Sequence, residues 1–139
     1  IAQGPRPVVD DALAMMRALE ASPPALDVGM KTMRAAKASV HLATAIADIA
    51  RAWPLSQVTA VLTELADAAL HAALALGAHE SARRGDLVLS DPDAGHGPVR
   101  GFALIAMGKM GAHELNYSSD IDFSVFFDAQ KLADAKARE

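Results

Sequence analysis

The 139-residue sequence predicts an α+β fold, in which a helical bundle is followed by the first strands of a sheet. Three observations predict it. Apolar residues make up 52% of the chain and aromatics only 4%, so the apolar mass is mostly alanine and leucine, which favour helices. Apolar residues recur at helical spacing through the first two thirds. Past a stretch rich in Pro, Gly, Asp and Ser, the pattern changes to two short apolar runs at 101–108 and 120–127. The implied organisation is a helical subdomain at 1–88, a linker loop at 89–99, and the start of a sheet-bearing unit at 100–139.

The first predicted helix, "PRPVVDDALAMMRALEAS", has Pro7 near its start and Asp10 and Asp11 in its first turn, where acids complement the helix dipole. The run Ser22-Pro23-Pro24 stops it. The second repeats apolar residues at Leu42, Ile46, Ile49 and Trp53, a 4-3-4 spacing, and Pro54 breaks it. Ser56 is placed to cap the third, whose stripe runs through Val58, Val61, Leu62, Leu65, Ala69 and Leu70. The alanines let neighbouring helices approach closely. Met15, Met16, Met30 and Met33 read as core, Trp53 as packing at a helix–helix corner, and Lys31, Arg34 and Lys37 as a solvated basic face.

Beyond the linker, "GFALIAMG" suits a buried strand ended by a glycine turn. In "DIDFSVFF", alternation puts Ile121, Phe123, Val125 and Phe127 on one face and Asp120, Asp122, Ser124 and Phe126 on the other. The tail from residue 129 starts another helix or frays.

Composition excludes several classes. A net charge of −4 lacks the basic footprint of nucleic-acid binding. With no cysteine there is neither disulfide nor thiolate metal site, which fits a reducing compartment. No run of about eighteen uninterrupted apolar residues argues for a membrane span. The chain opens at Ile1 without Met or a signal-peptide pattern, as an internal piece of a longer cytoplasmic protein would.

The chemistry concentrates in "GKMGAHELNYSSDIDF", residues 108–123. An Asp-x-Asp alone is commonly a solvated strand end. Here it follows a strand, a glycine turn and a Ser-Ser pair, and it runs into a strongly apolar strand. Asp120 and Asp122 on one face would repel unless a proton or cation lay between them. Oxygen-only ligands select hard ions such as Mg²⁺, which is commonly held by one or two carboxylates together with substrate phosphates. Gly108 permits close approach of the backbone to a phosphate, and Lys109, Ser118 and Ser119 add donors. The residues thus point to metal-dependent phosphoryl or nucleotidyl transfer. A P-loop is excluded, because Ala103 stands where its first glycine belongs and Met110 where Ser or Thr belongs. Gly108 and Gly111 alone make only a weak dinucleotide fingerprint, and His41, His71, His79, His96 and His113 are too scattered for a metal site.

Gly108, eleven residues, then Asp120-Ile-Asp122 resembles the Gly-x11-Asp-x-Asp signature of DNA polymerase β-like nucleotidyltransferases. The longer string "AMGKMGAHELNYSSDID" closely resembles the glutamine synthetase adenylyltransferases, bifunctional enzymes that attach and remove AMP on glutamine synthetase. "ELNYSSDID" is similar to their N-terminal, deadenylylating copy, and "MRAAKASVHLATAIADIARAWPLSQVTAVLTELADAAL" to the segment before it. The resemblance implies the opening of a polymerase β-like mixed sheet, incomplete in this chain, and phosphorolysis of adenylylated tyrosine on glutamine synthetase to yield ADP. It implies Asp120 and Asp122 as catalytic Mg²⁺ ligands, and Gly108, Lys109, Ser118 and Ser119 as contacts to the phosphates of ATP, ADP or inorganic phosphate. Partners by resemblance are glutamine synthetase and a PII-type signalling protein. Two departures stand out. Ala112 and His113 replace the family's usual glycine and basic residue, and the third carboxylate of the superfamily falls beyond Glu139. The competing readings are an inert helical interaction module and a superfamily member acting on another protein or nucleotide.

Overall fold

The computed structural model describes residues 4–89 and 97–131. Three long helices, α1 (Arg6–Ala21), α2 (Leu26–Ile49) and α3 (Leu55–Arg83), precede β1 (Phe102–Ala106), a single-turn helix α4 (Gly108–Gly111) and β2 (Phe123–Phe127). Each long helix packs on the other two. The fold is therefore α+β, and its two strands pair antiparallel, with Phe102 opposite Phe127 and Ala106 opposite Phe123.

Helix α1 buries Val9, Ala12, Leu13, Met16 and Leu19, a stripe of helical period. It starts one residue before Pro7, so Asp10 and Asp11 fall in the second turn rather than the first. Asp10 instead accepts from Arg6 Nε at 2.8 Å, and the same guanidinium donates to Glu64 of α3 at 3.0 Å. The bond from the Ser22 amide to the Ala18 carbonyl closes the helix, and Pro23 cannot extend it.

Helix α2 corrects the expected stripe. Leu42, Ile46 and Ile49 are 64%, 58% and 84% exposed, and Ala36, Val40, Ala43, Thr44 and Ala47 are buried in their place. The reason is approach distance. Small residues let α2 lie close to its neighbours, and at Gly29 a Cβ would stand 2.4 Å from Leu76 Cδ2 of α3. The methionines divide in the same way. Met16 is buried and Met33 packs against the core, but Met15 and Met30 are exposed, against the expectation. Helix α2 ends at Ile49, ahead of Pro54, because Arg51 turns left-handed (φ 53°) and the Ala52 amide returns to the Ala47 carbonyl at 2.8 Å. Trp53 is buried at the resulting α2–α3 corner, as expected.

Helix α3 starts at Leu55, so Ser56 lies inside it and makes no cap; its carbonyl accepts from Thr59 Oγ1. Of the expected stripe, Val58, Val61, Leu62 and Leu65 are buried, while Ala69 and Leu70 pack half-buried at its margin. By length and composition α3 could cross a membrane. Here its apolar side is the surface on which α1 and α2 pack.

The strand read as buried is half open. Ile105 and Met107 of the 101–108 run are 49% and 48% exposed, because the two described strands have neither face fully covered. Asp128 accepts from the amides of Gln130 and Lys131, capping a turn at 129–131. The rest of the tail, and most of the expected linker, lie outside the described residues.

Candidate active site

Gly108 follows β1 with φ +53°, a left-handed conformation that any side chain resists, and it opens α4. A Cβ there would lie 3.2 Å from Asp122 Oδ2, so the missing side chain lets that carboxylate rest against the turn. The Met107 amide donates to the Asp122 carbonyl at 2.9 Å, fixing the backbone beside it. Gly111 serves the same corner, since a Cβ on it would meet the Ala106 carbonyl oxygen at 2.8 Å. The sequence reading weighed Gly111 only as part of a dinucleotide fingerprint and missed this close approach.

The ladder of β2 begins at Phe123, so Asp120 and Asp122 stand just ahead of the strand rather than in it. Cross-strand pairing puts Phe123, Val125 and Phe127 on the face shared with Phe102, Leu104 and Ala106. The Phe102, Leu104 and Ala106 face looks across an open cleft to Leu70 and Leu74 of α3. Ser124 and Phe126 take the opposite face, and Asp122 leads directly into the ladder beside the Gly108 turn. Both carboxylates are exposed, and among the described residues neither has a cationic partner. No third carboxylate, His or Cys joins them among those residues. Two exposed carboxylates at a glycine turn are an oxygen donor set that suits Mg²⁺, which keeps several waters and takes few protein ligands. Lys109 is exposed on α4, beyond the Gly108 turn.

Ser118 and Ser119 are organised by Asn116, which stands in the same "ELNYSSDID" string. Asn116 Oδ1 accepts from the Ser118 amide (3.1 Å), the Ser118 hydroxyl (3.2 Å) and the Ser119 hydroxyl (2.8 Å). The Asn116 amide in turn donates to Ser119 Oγ at 3.2 Å. An Asn two and three residues before a Ser pair is a local turn signal, and it was readable in "NYSS". His113 takes a left-handed φ of 57° at the turn after α4.

The helices hold this segment from behind. Leu115 is 3% exposed within the helical core, and its amide donates to Thr63 Oγ1 at 3.4 Å. The Tyr117 ring meets His41 edge to face, with centroids 6.2 Å apart. Burial, and then the charge of Asp48, push the Tyr117 hydroxyl's pKa up. Thus α2 and α3 set the position of the strand entrance that bears both aspartates.

Comparison with known proteins bears on this geometry. The family model for glutamate-ammonia ligase adenylyltransferase matches residues 2–139. The chain belongs to that family. Similar relatives, each named bifunctional glutamine synthetase adenylyltransferase/adenylyl-removing enzyme, come from Caulobacter vibrioides, Rhodopseudomonas palustris and Xanthobacter autotrophicus. The Caulobacter protein is 46% identical over 91% of this chain and 13% of its own length. The Rhodopseudomonas protein is 46% identical over 91% of the chain and 12% of its length. The Xanthobacter protein is 49% identical over 73% of the chain and 10% of its length. The chain therefore spans about an eighth or less of the curated relatives it matches. No solved structure matches it. The family's members are adenylyltransferases by name, that is, nucleotidyltransferases.

Proposed function

We propose that this chain is the opening of an adenylyl-removing nucleotidyltransferase unit acting on glutamine synthetase in the cytoplasm, with residues 1–88 as its helical support and 100–139 as the start of its catalytic domain. One observation carries the reading. The Asp122 carboxylate lies against the positive-φ Gly108 turn, in a chain of the adenylyltransferase family.

Asp120 and Asp122 would hold Mg²⁺, with ATP, ADP and inorganic phosphate as the nucleotide substrates and products. When bound, the ion neutralises charge that develops on the transferred phosphoryl oxygens. The chain's own contribution is placement. Gly108 leaves room for phosphate oxygens at the turn, and Lys109 supplies a cation beside them. Ser119 already donates its hydroxyl proton to Asn116, so its contact with phosphate requires that bond to open; Ser118 shares the same acceptor. In the reaction an oxygen of inorganic phosphate bonds to the AMP phosphorus, the bond from phosphorus to the tyrosyl oxygen breaks, ADP departs, and the phenolate takes up a proton. No protein nucleophile is needed. A further carboxylate from beyond Glu139 would complete the metal site, so the 139-residue chain alone is expected to be inactive. A PII-type protein is the proposed regulator of the whole enzyme.

The test is Asp122→Asn in the full-length protein, assayed as phosphate-dependent release of ADP from adenylylated glutamine synthetase. Loss of at least about a hundredfold is expected for a metal ligand. Unchanged Mg²⁺-dependent activity would remove Asp122 from the metal site.

A further inference from the structure

We infer that the cleft behind the catalytic segment is a binding site for a small organic anion with an apolar body, such as an aryl phosphate, and that it acts as an effector site. The cleft holds about 250 Å³ between α2, α3 and residues 115–121, a size that suits a small ligand. Its floor is apolar, formed by Met16, Met33, Leu62, Leu65 and Ile121. Its lip carries two cations, Arg34 and Lys37, with the His41 imidazole beside them. Arg34, Lys37 and His41 lie at spacings of three and four along one face of α2, and all three line the opening. Among the described residues no carboxylate pairs with Arg34 or Lys37, whereas Arg6, Arg83, Arg84 and Lys131 each have one. Asn116, Tyr117 and Ser119 close the remaining wall with hydrogen-bonding groups. An apolar floor beneath unpaired cations is complementary to a ligand that buries a ring or alkyl body and leaves its anion at the rim.

The position sets the role. Leu115, Tyr117, Ser119 and Ile121 line the cleft, while Asp120 and Asp122 do not. Asn116 also lines it, so the cleft backs onto the turn that leads into both carboxylates. A ligand seated behind would bear on the backbone that sets both carboxylates. Binding itself is independent of the function proposed above; its effect on catalysis rests on that reading.

The binding test uses the 139-residue chain, isotope-labelled for NMR, without metal. Phenyl phosphate is titrated, with inorganic phosphate and phenol as the two half-ligands. The expected result is saturable shifts at His41, Tyr117 and Ile121, with affinity about tenfold or more above either half-ligand. Lys37→Gln and Arg34→Gln, both at exposed positions, should each weaken binding severalfold with the circular dichroism unchanged. Lys31→Gln, on the same helix but outside the cleft, and Asp122→Asn should leave it unaltered. Shifts confined to Gly108, Lys109 and Asp122 would overturn the proposal. So would inorganic phosphate binding as tightly as phenyl phosphate, or the absence of saturation. Coupling is read in the full-length protein, where phenyl phosphate should change the rate of adenylyl removal in the wild type and change it less in Lys37→Gln. An unchanged rate with binding intact would overturn the effector role. A full-length protein with no adenylyl-removing activity would sink the functional reading and leave the binding result standing.

Discussion

Replacing Gly108 with alanine tests the corner on which the candidate site turns. At φ +53° a residue with a Cβ costs about 1–2 kcal/mol relative to glycine. The added Cβ would also stand 3.2 Å from Asp122 Oδ2, close enough to displace the carboxylate by a few tenths of an ångström. Because Asp122 is exposed, its side chain can turn aside at little cost, so the backbone conformation dominates the stability loss. The expected loss is about 1–2 kcal/mol, a fall in Tm of about 3–7 °C for a chain of this length. Gly108→Asn separates the two effects. Asparagine tolerates the left-handed region yet carries the same Cβ, so it should lose less than about 1 kcal/mol while displacing Asp122 just as much. Urea denaturation reads the first effect, and Mn²⁺ relaxation enhancement, as a stand-in for Mg²⁺, reads the second. Equal stability for glycine and alanine would refute the conformational argument. Wild-type Mn²⁺ affinity in Gly108→Asn would refute the contact with Asp122.

Four further substitutions probe the helical support. Gly29→Ala forces a Cβ into the buried Leu76 side chain, at about 1–3 kcal/mol from overpacking less about 1 kcal/mol gained in helix propensity. Combined with Leu76→Ala it should cost less than the sum of the two single changes in urea melts; additivity would show that the two do not touch. The same Thr→Val change should have opposite signs at two sites. Thr44 is fully buried with no hydrogen-bond partner for Oγ1 among the described residues, so Thr44→Val should stabilise by about 1 kcal/mol. Thr63→Val leaves the Leu115 amide without its acceptor and should destabilise by about 1–3 kcal/mol; chemical denaturation that ranks them the other way would contradict the assigned bonding. Burial, and then the charge of Lys37, hold the His41 pKa below 6.5. The unfolded chain takes up that proton first as pH falls, so the stability His41 confers is present above pH 6.5 and is lost as pH drops through the folded value. An NMR titration should place the His41 midpoint below 6.5 and move it upward in Lys37→Gln.

The candidate site was legible where the chemistry is local. Alternation from Phe123 to Phe127 needed only a strand period of two, and the turn at Gly108 needed only a glycine after an apolar run. The Asn116 turn is equally local, since an Asn two and three residues before a Ser pair is a turn signal in itself. The supports behind the segment were not legible. Thr63 and Leu115 are joined across fifty-two positions, and His41 meets Tyr117 from another helix. No periodicity reports such pairs.

Residue order alone was enough for the succession of helices and strands and for the stripe along the first half of α3. It was not enough for the buried face of α2. A pattern of large apolar residues selects Leu42, Ile46 and Ile49, yet packing selects Ala36, Val40, Ala43 and Ala47. Interhelical distance decides between the two faces. Where Gly29 lets α2 settle onto Leu76, small side chains bury more backbone and more neighbouring surface than large ones could, and that distance exists only once the helices have met.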